Sequence, residues 1–146
     1  AWKNEQVDVL GLRSLEGQSA SIEEAEIVVS GGKGLKKRDN FALIESLAKA
    51  FGGEVGASRD AVDRGWAAYP HQVGLSGKTI SPRLYVAAGI SGAIQHLAGI
   101  KTAKCIVAIN QDEHANILDL ADFALVGDLF TILPEIQRRL EARRQA

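Results

Sequence analysis

The chain has 146 residues, 46% of them apolar and 24% charged, with 17 basic and 18 acidic side chains. That suits one globular domain with a core of its own, and the near-neutral balance gives no reason to expect nucleic acid or an anionic membrane as partner. No apolar run approaches the roughly 20 residues that span a bilayer, no secretory signal opens the chain, and the single cysteine, Cys105, excludes an internal disulfide.

With no methionine, the sequence reads as a piece of a longer protein. Residues 1–24 are expected to form a linker or the edge of a further domain, and residues 25–146 the folded domain. The regular pattern starts at Ala25–Ser30, a β-branched run bounded by Gly31 and Gly32 and expected as a buried strand. A glycine-rich basic loop follows, Ser30–Lys37, and Asp39 or Asn40 is placed to cap the next helix. That helix carries Phe41, Ile44, Leu47, Ala48 and Phe51 at helical spacing and stops at Gly52–Gly53. Glu54–Ala57 is expected as a strand, Ser58 as an N-cap, Arg59–Trp66 as a helix and Ala67–Lys78 as an irregular loop. Leu84–Ala88 is a strong strand, entering a helix that runs from the Gly89 turn to about Leu97. Lys104–Ile109 and Phe123–Gly127 are two more strands, with helices at Ala115–Ala121 and Leu129–Arg143.

Strands apolar throughout, alternating with helices, predict a three-layer, doubly wound parallel sheet of Rossmann-like type. Ligands of such sheets bind beyond the carboxyl ends of the strands. The segments expected there, SGGKG, ASR, GISG, AINQD and GDLF, are small or polar.

Leu84–Ile100 is the clearest of them. Gly89 and Gly92 permit a tight turn and close backbone approach, and a helix start there suits a pyrophosphate, with Ser91 adding a hydroxyl. The alternative is a turn with Ser91 as a plain cap. His96, a lone helical histidine, is either a structural residue or a donor to a cofactor ring. Lys33 lies in a basic turn that faces either phosphates or solvent. Ser58 and Arg59 stand where a strand meets a helix, and Arg59 either faces an electron-rich ring or pairs with Asp63. Ser76, in the loop QVGLSG, has a hydroxyl to offer a ring nitrogen. Asn110 and Asp128 follow strands and either reach a nucleoside or serve as turn residues. Asp112, Glu113 and His114 are consecutive, point in different directions and make no metal site, so no metal is expected.

Taken in order, SGGKGL, VGASRDAVDRGW, QVGLSGK, SPRLYVAAGISGAIQHLAGI, IVAINQD and ADFALVGDL closely resemble the FAD-binding domain of the electron-transfer flavoprotein alpha subunit, over residues 25–140. The resemblance implies a DHS-like NAD/FAD-binding fold, FAD as cofactor and a beta subunit completing a heterodimer. It implies an electron carrier and not an enzyme with its own substrate. Electrons would come from dehydrogenases, such as acyl-CoA dehydrogenases, and pass to a quinone-linked oxidoreductase or another acceptor, in the bacterial cytoplasm or the mitochondrial matrix. It also implies residue roles. Ser58 and Arg59 sit beside the isoalloxazine, and Val73, Gly74, Leu75 and Ser76 form the loop on its N5 side. Ser91, Gly92, Ala93, Ile94, Gln95 and His96 form the pyrophosphate and flavin-edge segment, with His96 near the ring's O2. Asn110, Asp128 and Leu129 lie at the adenosine end.

Three positions depart from the family pattern. Lys33 stands where arginine is usual, which replaces a bidentate contact by a point charge. Leu75 and Ser76 stand where glutamine and threonine are common, and the resulting GLSG form resembles alpha subunits tied to nitrogen fixation or electron bifurcation. The competing readings are a non-redox AMP- or NAD-binding regulatory module and a hydride-transferring enzyme.

Overall fold

The computed structural model describes residues 21–145, so the expectation for residues 1–20 lies outside the described residues. Five strands form one parallel sheet: β1 (Ile27–Gly31), β2 (Glu54–Ala57), β3 (Leu84–Ala88), β4 (Ile106–Asn110) and β5 (Phe123–Val126). Their order is β2-β1-β3-β4-β5, with Val28 beside Tyr85 and Tyr85 beside Ile106 in register. The helices are α1 (Ala42–Phe51), α2 (Arg59–Asp63), α3 (Ile94–Ala98), α4 (Asn116–Leu120) and α5 (Leu129–Gln145).

Alternation along each strand divides the core in two. Val29, Val86, Ala88 and Ile109 face α1, α2 and α5, where Phe41, Ile44, Leu47, Ala61, Leu129 and Leu133 are buried. Val28, Tyr85, Ala87, Ile106 and Ala108 face the other way, onto Val73, Ile80, Ile100 and Ile117. Both faces of the sheet are therefore covered, which is why its central strands carry no polar alternation. Ile22 is buried in the second cluster, in a short 3-10 turn at Ile22–Glu24, so packing begins upstream of β1.

Most elements fall where the sequence predicts them, β2 and β3 to the residue. Two do not. The chain enters α1 through a 3-10 turn, Arg38–Phe41, and neither Asp39 nor Asn40 caps the helix. The Asn40 amide instead donates to the Leu35 carbonyl at 2.7 Å, closing the preceding loop on itself. Helix α3 begins at Ile94 with Ala93 at its N-cap position, so Ser91 does not cap it. Gly92 has φ +91 and Ala93 φ −59, ψ 152, so the segment after Gly89 stays non-helical for one more turn.

Strand β1 sends its crossover to β2 on one side, and the chain then passes back to β3 on the other. Sheets of this order bind ligands where the winding reverses, between the carboxyl ends of β1 and β3. The rest of the fold serves to place two short loops there.

Candidate functional site

Those two loops are Gly32–Leu35, after β1, and Gly89–Ala93, after β3. They are stitched together through backbone: Gly32 N–H donates to the Ala88 carbonyl at 3.1 Å and Gly34 N–H to the Gly89 carbonyl at 2.9 Å. The contact is so close that a Cβ on Gly34 would stand 2.7 Å from the Gly89 Cα. A cavity of about 510 Å³ opens beside them. Its wall includes Lys33, Lys36, Ser58, Asp60, Asn110 and the whole Gly89–Ala93 turn.

Several wall residues are held from behind. The Asn110 amide, buried at the end of β4, donates to the Ile90 carbonyl at 3.0 Å, and its oxygen accepts from Asp112 N–H at 2.9 Å. Asn110 thus braces the turn whose outer side forms the cavity. Ser91 contributes its carbonyl to Ile117 N–H at 3.0 Å, leaving its side chain exposed on the wall. Ser58 caps α2, its hydroxyl accepting from Ala61 N–H at 3.2 Å. Lys36 has φ +76, a left-handed conformation that costs a non-glycine residue about 1–2 kcal/mol and that turns it toward the cavity and the Phe130 ring.

Of the residues singled out from the sequence, Lys33, Ser58, Ser91, Gly92, Ala93 and Asn110 meet in this wall. Arg59 lies just outside it, 63% exposed and paired with Asp63 at 3.5 Å, the helix-support arrangement. Asp128 caps α5, accepting from Phe130 N–H at 3.0 Å, and Leu129 is buried against Gly89. Val73 is core. Gly74–Ser76 folds over the start of α3, with Leu75 N–H donating to the Gln95 carbonyl at 3.0 Å and Tyr69 OH donating to the Ser76 carbonyl at 2.7 Å. There Leu75 (63% exposed) and Ile94 (84% exposed) leave apolar surface uncovered. Lys36, Asp60, Gln111 and Asp112 also line the cavity without having been singled out one by one, although Lys36 lies in the basic turn expected to face either phosphates or solvent. Gln111 and Asp112 follow a predicted strand and were legible on that ground. Only the left-handed backbone of Lys36 had no signal in the sequence.

His96 is not in the cavity wall. It is buried beneath the Gly74–Leu75 backbone, with Nε2 2.8 Å from the Tyr85 hydroxyl and Nδ1 without a hydrogen-bond partner. Burial pushes its pKa down from 6.5 to about 4, only partly opposed by the nearby Val73 backbone. It is therefore neutral at pH 7. The unfolded chain takes up this proton first, so the stabilising contribution is complete above pH 6.5 and lost as the pH falls toward 4. In all it amounts to about 3 kcal/mol. Denaturant midpoints should fall over that window in the parent chain and fall less in His96→Gln. Parallel curves would refute this.

The donor set fits a flavin dinucleotide. Two lysines and a glycine-bearing turn of close backbone suit a pyrophosphate, and a buried ring nitrogen without a partner suits a polar ring edge.

The comparisons point the same way. A family model described as the electron transfer flavoprotein FAD-binding domain matches residues 21–101, over half of the chain. The electron transfer flavoprotein subunit alpha of Mycobacterium leprae (strain TN) is 53% identical over 123 residues, covering 84% of this chain and 39% of that protein. The mitochondrial subunit alpha of Arabidopsis thaliana is 47% identical over 135 residues, covering 92% and 37%. The chain thus spans about two fifths of the length of these curated relatives. A solved structure described as a thiamin diphosphate-dependent enzyme from Mycobacterium smegmatis superposes with a TM-score of 0.54 at 16% identity, over 80% of this chain and 25% of that one. That last likeness is one of fold alone.

Proposed function

This chain belongs to the electron transfer flavoprotein FAD-binding domain family, and on that premise we propose that it carries the FAD of an electron-transferring heterodimer. The observation that supports this reading best is the cavity at the β1/β3 reversal, where the Gly89–Ala93 turn faces Lys33 and Lys36. When bound, FAD supplies the redox chemistry. The protein supplies binding and electrostatics.

In this reading Lys33 and Lys36 offset the phosphate charge, and the backbone of Gly89–Gly92 with the Ser91 hydroxyl fixes the phosphate position. Ser58 and Arg59 stand beside the ring. Arg59 is available for this because its exposed pair with Asp63 is worth little and exchanges readily. Val73–Ser76, with Gln95 and His96, borders the ring edge. His96 acts there as a neutral N–H donor, not as a cation, since its burial keeps it unprotonated. Asn110 brackets the nucleoside end, and Asp128 and Leu129 fix the start of α5 next to the turn.

The partner is a beta subunit, which would cover the exposed Leu75 and Ile94. The donors are dehydrogenases and the acceptor a quinone-linked oxidoreductase, in the bacterial cytoplasm or mitochondrial matrix. Among the described residues no helix is long and apolar enough to cross a membrane. The protein is then a carrier with no substrate of its own.

The purified heterodimer should be yellow and release FAD, not FMN. A donor such as His96 or a cation such as Arg59 stabilises the negative charge that reduction places on the ring. Losing either should lower the first reduction potential by about 20–65 mV, the one-electron equivalent of a hydrogen bond worth about 0.5–1.5 kcal/mol. A colourless complex, or redox titrations of Arg59→Ala and His96→Ala that both overlay the parent, would sink the reading.

A further inference from the structure

One buried polar cluster lies behind the cavity wall and not in it. On the α3–α4 face of the sheet, the Tyr85 hydroxyl of β3 meets His96, and Ser30 of β1 lies close enough to that phenol to hold its pKa down slightly against burial. Tyr85 is fully buried near the start of β3, its hydroxyl 2.8 Å from His96 Nε2 and the two rings tilted by 43°. Two atoms in this cluster are buried without a partner, Ser30 Oγ and His96 Nδ1. A sheet interior tolerates such orphans rarely, and a ring nitrogen left so is commonly reserved for a ligand.

Both partners of the 2.8 Å bond are uncharged, because burial lowers the imidazole and raises the phenol. One proton therefore lies between Tyr85 Oη and His96 Nε2, and it belongs to one of them. A phenol is a better donor than a neutral imidazole N–H, and a bare imidazole nitrogen is a better acceptor than a phenol oxygen. The phenol donates, Nε2 accepts, and the ring's own proton sits on Nδ1. The Val73 backbone lies near enough to the ring to favour its protonated form.

We propose that Tyr85 is a positioning residue that locks His96 in its Nδ1–H tautomer, so that one N–H donor of fixed direction faces the Val73–Ser76 segment. What that donor serves rests on the flavin reading above; the lock itself does not. Tyr85 does not itself line the cavity. Its hydroxyl acts by removing a choice: without it the imidazole would be free to exchange tautomers and to present an acceptor where a donor is needed.

The test is the ring ¹⁵N spectrum of the 15N-labelled chain, with His96 assigned by its loss in His96→Ala. Nδ1 should read as protonated and Nε2 as bare at pH 7. Tyr85→Phe keeps the ring and its packing and removes only the hydroxyl. It should lose the single-tautomer signature, both nitrogens moving to intermediate shifts. A proton on Nε2 in the parent chain overturns the inference without any variant. So does a Tyr85→Phe spectrum that matches the parent. The flavin reading fails separately, by an unchanged reduction potential in both Arg59→Ala and His96→Ala.

Discussion

Gly89→Ala should destabilise the domain by about 3 kcal/mol and abolish FAD retention. Gly89 has φ +70, where an alanine loses about 1–2 kcal/mol to strain alone. The added Cβ would also stand 2.9 Å from Leu129 Cδ1 and 3.0 Å from the Gly34 Cα. Leu129 is a side chain and has some room to yield. Gly34 is backbone, and its N–H is already committed to the Gly89 carbonyl at 2.9 Å. Forcing the two loops apart adds an overpacking cost of about 1–3 kcal/mol and opens the junction that closes the cavity. Gly52→Ala is the matched control. It has φ +75 with nothing within 4 Å of the new Cβ, so it should cost strain only and keep FAD. Urea unfolding and released-flavin absorbance measure both effects. Equal losses in the two variants would mean that loop contact is irrelevant.

Lys33→Glu should weaken FAD binding roughly thirtyfold, by about 2 kcal/mol. The cavity wall holds two lysines, Lys33 and Lys36, against Asp60 and Asp112, so its charges nearly balance before a pyrophosphate enters. Reversing Lys33 removes one attraction and adds one repulsion. Each is worth about 1–3 kcal/mol at a few ångströms near a protein surface, reduced by the exposure of this side chain. The loss should shrink as salt is raised, since screening acts on exposed charges. Lys33→Arg should bind at least as tightly as the parent, because a guanidinium offers a bidentate contact. Lys101→Glu, exposed in the turn that follows α3, should leave affinity unchanged. Fluorescence titration of the deflavinated protein with FAD reads all three. A salt-independent loss, or one shared by Lys101→Glu, would place phosphate binding elsewhere.

Both predictions rest on features the sequence shows unequally. The GISG segment is visible as a turn, and its ligand edge follows from the strand-helix alternation. The partner of Gly89 is not visible, because Gly34 lies 55 residues upstream and meets it only through the β1–β3 pairing. The same gap hides why Ser91 does not cap α3. Ser91 is a good cap in isolation, but Gly92 lies so close to Ile117 that a Cβ on it would stand 2.7–3.0 Å away, and this approach goes with a segment that stays extended until Ala93.

The histidine shows the division most clearly. Its sequence context allowed a structural residue or a ring donor. The structure gives it both an anchored nitrogen on Tyr85 and a buried nitrogen without a partner. Asn110 likewise was either a turn residue or a ligand contact, and it braces the turn from behind while lining the cavity.

By itself, then, the sequence determined which segments are strands and helices, that the sheet is parallel, and which loops collect at its ligand edge. These follow from local burial patterns, whose periods of about 3.6 and 2 residues are written along the chain. Only the tertiary structure decided that the winding reverses between β1 and β3, that Lys36 turns into the cavity, and that Tyr85 faces His96. Such facts depend on which strands become neighbours, and the contacts that choose the neighbours join residues tens of positions apart.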